Sequence, residues 1–177
     1  MYMDARAEQM LHEHAEERRT RFYGKYRGTV KDVLSGSDLG KLRVNVPDVY
    51  DDQDSPVAWP CVPFAGPNHG FVAIPEQGDG VWIEFEAGDP SRPIWVGCWF
   101  AQGDMPDPSD TNVRTLITSG GLKLILDDGA SELRLEHPGG AKISLTSDGI
   151  TLSIGGTSIE LSEDGISMND DALQVTS

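Results

Sequence analysis

Between Val113 and Ser177 the sequence repeats one short pattern, an alternating apolar and polar run closed by a glycine-marked turn. LKLILDDG, SELRLEHPGG, AKISLTSDG, ITLSIGG and SIELSEDG are successive instances, with turn glycines at Gly121, Gly129, Gly140, Gly149, Gly156 and Gly165. Side chains alternate between the two faces of a strand. One face therefore collects Leu133 and Leu135, Ile143 and Leu145, Ile150, Leu152 and Ile154, Ile159 and Leu161, and Ile166 and Met168. The other collects Arg134, Ser144, Thr151, Ser153 and Glu160. No Phe, Tyr or Trp follows Phe100 and no helical pattern supplies a second layer, yet an apolar sheet face must be buried against something. Two coverings are open. Three ribbons from three copies could wind around a common axis and share an Ile/Leu core, or the ribbon could be a plain antiparallel meander packed on the rest of its own chain. The first needs no further element, so the expected arrangement is an intertwined trimeric β-helix. Its expected core is Leu133, Leu135, Ile143, Leu145, Ile150, Leu152, Ile154, Ile159, Leu161 and Ile166. About six strands, spaced ~4.8 Å apart, give a shaft on the order of 30 Å long.

Ahead of this ribbon the chain reads as short strands broken by turns, as 20 Gly and 11 Pro in 177 residues imply. Tyr26–Val33 is a strand candidate, and Lys41–Val46 alternates with period two, Gly36 and Gly40 punctuating the turn between them. Gly80–Glu86 sets Val81, Ile83 and Phe85 on one face and Trp82, Glu84 and Glu86 on the other. Pro93–Phe100 is almost wholly apolar, the pattern of a strand buried on both faces. Four or five such strands make a small closed barrel, which removes exposed edges. The expected division is a helix or tail over 1–21, a barrel over 22–104, a linker over 105–112 and the needle over 113–177. The first segment carries Asp4 as a candidate cap and a narrow stripe of Ala7, Met10, Leu11 and Ala15.

The formal charge is −15, from 14 Lys and Arg against 29 Asp and Glu. Such acidity argues against nucleic acid, whose phosphates are met by clustered cations, and against docking on anionic membranes. The longest uncharged stretch, Ser55–Pro75, holds five prolines and cannot form a spanning helix. MYMDARAEQMLHEHAEERRT lacks the apolar core of a secretory signal, so synthesis in the cytoplasm is expected. Cys61 and Cys98 form no CxxC motif and read as two buried free thiols.

A scan for chemistry yields no enzyme, no cofactor and no metal site. His12 and His14 point to different sides of a helix, and His69 lies in a glycine-rich loop without a G-x-S-x-G or similar nucleophile motif. His137 precedes Pro138 in a turn. Glu84 and Glu86 share a strand face and read as solvated rather than as an acid–base pair. Asp127-Asp128 and Asp170-Asp171 lack the ligand count of a calcium loop, and no helix follows Gly120-Gly121 or Gly155-Gly156 to make a phosphate cradle.

The stretch WPCVPFAGPNHGFVAIPEQGDGVWIEFEAGDPSRPIWVGCWF, Trp59–Phe100, resembles the oligomer-binding-fold (OB) domain of phage baseplate assembly protein V. That family includes the central spikes of contractile phage tails and of phage-tail-like injection systems, with VgrG spikes more distant. The matching elements are Gly66 and Gly70 in their loop, the turn Pro75-Glu-Gln-Gly-Asp-Gly80, the strand Val81–Glu86, and Gly88-Asp-Pro90 leading to Pro93-Ile-Trp-Val-Gly97. The resemblance implies an all-β protein, a five-stranded OB barrel followed by an intertwined trimeric β-helix, working as the structural spike of a contractile injection apparatus. The implied partners are two further copies, a trimeric baseplate hub, and a separate tip protein of the proline-alanine-alanine-arginine repeat (PAAR) type. The separate tip follows because Ser167–Ser177 lacks the His-x-His pair with which some such spikes hold iron. The implied location is a virion tail or phage-tail-like particle, meeting the target membrane only by mechanical puncture. No lysozyme-like insertion separates barrel and ribbon. The alternative is an OB module that binds oligosaccharide or nucleic acid without piercing anything.

Overall fold

The computed structural model describes residues 20–169 and 172–176, with Arg6, Gln9, Met10 and His12 nearer the N-terminus. The helix or tail expected over 1–21 falls largely outside the described residues, as do His14, Asp170 and Asp171. The chain divides into two compact units, Met1–Gly103 and Asp104–Ser177.

The first unit is a five-stranded barrel. Its strands are β1 (Tyr26–Val33), β2 (Leu42–Asn45), β3 (Trp59–Pro60), β6 (Gly80–Phe85) and β7 (Pro93–Cys98), in the order β2-β1-β6-β7-β3. All pairings are antiparallel except β3 with β7. Bridges from Leu42 to Ala58 and from Asn45 to Asp54 bring the segment before β3 back to β2, so the sheet closes. Period-two alternation drives the inside together. Val30, Leu42, Val44, Val46, Ala58, Val81, Ile83, Phe85 and Trp95 form the buried core, each worth about 1.5–3 kcal/mol of transfer free energy if it is a large side chain. Trp95 keeps its one donor satisfied by donating from Nε1 to the Gly40 carbonyl at 2.9 Å. Phe22, Tyr26 and Tyr50 pack edge-on or tilted against Phe85. Burial, with Asp89 nearby, pushes the Tyr50 hydroxyl up to about 12, and that hydroxyl donates to Pro90 O at 2.6 Å.

Several local expectations are corrected. β7 is not buried on both faces: Pro93 and Trp95 are buried while Ile94 and Val96 are half-buried, because only one side of a barrel strand points inward. Both cysteines are free and exposed rather than buried. Cys61 follows the short β3, and Cys98 ends β7 beyond Trp95, the last buried side chain of that strand. Pro47–Tyr50 forms one helical turn with Pro47 in its first turn, where a missing N–H costs nothing. The glycine-rich loop holds a small hairpin, β4 (Ala65–Gly66) with β5 (His69–Gly70).

The second unit is one antiparallel meander of eight strands, not about six. They are β8 (Val113–Ile117), β9 (Lys123–Asp127), β10 (Glu132–Glu136), β11 (Ala141–Leu145), β12 (Ile150–Ile154), β13 (Thr157–Ser162), β14 (Gly165–Met168) and β15 (Leu173–Thr176). Every strand pairs with its sequence neighbour, which is what turns only a few residues long impose. Not every turn glycine carries the strained backbone. Between β9 and β10 the left-handed residue is Ser131, while Asp127 accepts from the Ala130 N–H at 2.9 Å and orders the turn. After β12 it is Gly155 rather than Gly156.

Candidate functional site

Cross-strand register carries each apolar pair of the ribbon onto its neighbours. Leu126, Leu133, Leu145, Ile150, Leu161 and Ile166 stand opposite one another from β9 to β14. Leu116, Leu124, Leu135, Ile143, Leu152, Ile159, Met168 and Leu173 make a second row from β8 to β15. Ile154 lies opposite Ala141 and Thr157 at the end of a third, shorter row. The register thus places all ten candidate core residues on a single face. It adds Leu116, Leu124, Leu126 and Leu173, which the sequence reading did not single out although the same alternation carries them.

Within the second unit no other element covers this face. Leu116, Leu126, Leu135, Leu145, Leu152, Ile154, Ile159, Leu161, Ile166 and Leu173 are all exposed, Ile154 to 60%. Leu116, Leu124, Leu135, Ile143 and Leu152 border a shallow groove of about 530 Å³. A contiguous exposed apolar face of this kind marks an interaction surface.

The opposite face is polar but not simply wet. Glu132, Arg134 and Glu136 alternate along β10, opposite Lys142 and Ser144 on β11. Arg134 donates from Nη1 to Glu132 at 2.6 Å and its Nε lies 3.2 Å from Glu136. Ser144 donates to Glu132, and Lys142 approaches the same carboxylate at 3.6 Å. The Ser144 hydrogen bond first, then Arg134 and Lys142, hold the Glu132 carboxyl below the usual carboxylate range. The hydrogen bond that Arg134 donates to Glu132 raises the guanidinium in turn. Between Thr115 and Arg134 in register sits Ile125, fully buried. The run Glu-Leu-Arg-Leu-Glu, read against Lys-Ile-Ser on the next strand, was the available signal for this cluster.

The groups weighed for chemistry are dispersed. Glu84 pairs with Lys25 and Glu86 with Arg92, so each carboxylate has its own cation. His69 Nδ1 lies 3.0 Å from Pro67 O, and His137 Nδ1 accepts from the Gly139 N–H at 2.9 Å, both closing local turns. Asp128 is tied to Arg114 at 2.5 Å. Among the described residues, no three His, Cys, Asp or Glu side chains converge as metal ligands. No helix among them is long and apolar enough to cross a membrane.

Two family models match the chain. Residues 26–100 match the type VI secretion system/phage-baseplate injector OB domain. Residues 114–174 match the phage baseplate V C-terminal trimerisation domain. The first match contains the whole barrel from β1 to β7, and the second contains both long apolar rows almost entire.

Proposed function

The chain belongs to the phage baseplate assembly protein V family, and from that membership we propose that it is the central spike of a contractile injection apparatus. Three copies wrap their ribbons into a needle whose axis is filled by Leu133, Leu135, Ile143, Leu145, Ile150, Leu152, Ile154, Ile159, Leu161 and Ile166. The needle projects below the tail-tube hub, takes a separate PAAR-type tip, and pierces the target envelope when the tube is driven forward. The barrel over 22–104 is the hub-side part, 105–112 the linker and 113–177 the needle.

One observation carries this reading: the uncovered apolar face lies in the residues that match a trimerisation domain. The mechanics follow from the covering. Once three faces meet, the apolar side chains point inward and the polar face outward, so the shaft does not partition into lipid and must be pushed. Its backbone is paired strand to strand with short turns, which makes local opening costly and lets the shaft transmit force.

Light scattering on the full chain tests it, beside a truncation ending at Asn112. The expected result is a particle of three 19.2-kDa chains that becomes a monomer on truncation. Particles carrying the truncated chain are expected to assemble a tail but fail to kill or infect. A full-length monomer would overturn the spike and favour the ligand-binding OB module.

A further inference from the structure

The barrel unit has an exposed apolar surface of its own, outside the residues that match the trimerisation domain. Ser55–Pro75 holds no Asp, Glu, Lys or Arg in a chain of charge −15. Within and beside it, Leu39 is 63% exposed, Phe64 57%, Phe71 45% and Val72 77%. Leu39, Val62, Phe71, Val72 and Ile74 line one groove of about 530 Å³, and Phe64 stands outside that lining. The surface is built rather than frayed. Gly66 pairs with His69 and Ala65 with Gly70, the Phe71 N–H donates to Phe64 O at 3.0 Å, and His69 closes the turn onto Pro67. A side chain at Gly66 would collide with the His69 imidazole, so glycine there lets the ring lie over the turn. Preorganised apolar groups of this kind lose little entropy when covered.

We infer that this hairpin packs barrel against barrel in the homotrimer, Phe64 of one copy entering the Leu39–Val62–Ile74 groove of the next. The inference rests on the trimer reading above. Charge, tether length and geometry select a second copy as occupant. A charge-free patch offers no electrostatic steering towards a separate protein, whereas a tethered copy needs none. The connecting residues 104–112 span at most about 30 Å when extended, so barrels on one needle face each other at an effective concentration near the millimolar range, enough for a small contact. Each copy is acidic, so barrels that crowd together approach most cheaply where neither carries charge. A projecting Phe64 and a separate groove on one barrel also make a head-to-tail contact, the kind that closes into a ring under three-fold symmetry.

Hydroxyl-radical footprinting of the purified full chain, with its mass measured in the same buffer, tests this. Phe64 and Phe71 are expected to label several-fold more slowly than Tyr23 and Phe100, which are exposed at 67% and 62% in the single chain. Leu39→Asp should restore labelling of Phe64 without changing the three-chain mass, and Phe64→Asp should restore labelling of Phe71. If the mass is that of three chains and Phe64 and Phe71 label as fast as the reference rings, the barrel contact is wrong and the needle stands. Protection that arises only when another protein is added also overturns it. A one-chain mass overturns the trimer and this contact together.

Discussion

At Ser55 a buried hydroxyl helps to hold the barrel shut. The Val44 N–H donates to Ser55 Oγ at 3.0 Å, and the Ser55 N–H donates to Val44 O at 2.9 Å. Ser55→Ala leaves a buried N–H without its partner, a loss of about 1–3 kcal/mol. Thermal unfolding of the variant should show the barrel melting several degrees earlier, and an unchanged midpoint would mean that water replaces the hydroxyl. Gly149 is constrained differently. Its φ is +153°, and a Cβ there would run into the backbone carbonyl of Leu161, which no side-chain rearrangement relieves. Gly149→Ala is expected to cost at least ~1–3 kcal/mol. Gly120→Ala, whose nearest neighbour would be Thr118 Oγ1 at 3.9 Å, should be nearly neutral in the same melt.

The two faces of the ribbon call for opposite tests. On the apolar face ten exposed side chains, each about half uncovered, represent on the order of 10 kcal/mol per chain if buried. Trimer formation buries three such faces while losing translational freedom twice, at roughly 4–15 kcal/mol each. Leu152→Asp would place three carboxylates in that shared core, and size-exclusion chromatography should show the trimer lost. Glu160→Lys, on the other face in register with Thr151 and Ser167, should leave it intact. If both variants remain trimeric, the proposed core is wrong. The polar cluster predicts a pH response. Glu132 has a folded pKa below its unfolded one, so its contribution is fully present above the ordinary carboxylate range of about 4.3. That contribution disappears as pH falls through the lower folded value. Glu132→Gln should therefore melt earlier than the parent at pH 7, with the gap closing as the pH drops below about 4. A gap that widens in acid would contradict the hydrogen-bonded carboxylate.

Taken as an assembly, three chains of charge −15 repel one another, so added salt should raise the trimer's melting temperature by screening. Because folding and association are linked, the midpoint should also rise with protein concentration. A midpoint that falls with salt would mean that ion pairs between copies outweigh the repulsion. Much of this architecture was legible in advance. Alternation with period two marked β2, β6 and the ribbon, because a strand's two faces meet different surroundings and the sequence must record which is which. Other features were not legible. The closure of β2 onto the segment before β3 joins residues across an irregular loop, Leu42 to Ala58 and Asn45 to Asp54, and the hairpin β4–β5 is too short to leave a pattern. The outward-facing half of β7 looked buried because apolar content alone does not say on which side a barrel lies. In the ribbon, composition and spacing were enough to require an apolar face, since backbone geometry leaves alternating residues no other arrangement. Which rows those residues join, how Glu132, Arg134 and Ser144 meet in register beside a buried Ile125, and that no strand of the second unit covers the apolar face were decided only by tertiary pairing. Register is set by turns and neighbouring strands acting together, and a linear pattern does not encode which residues end up opposite one another.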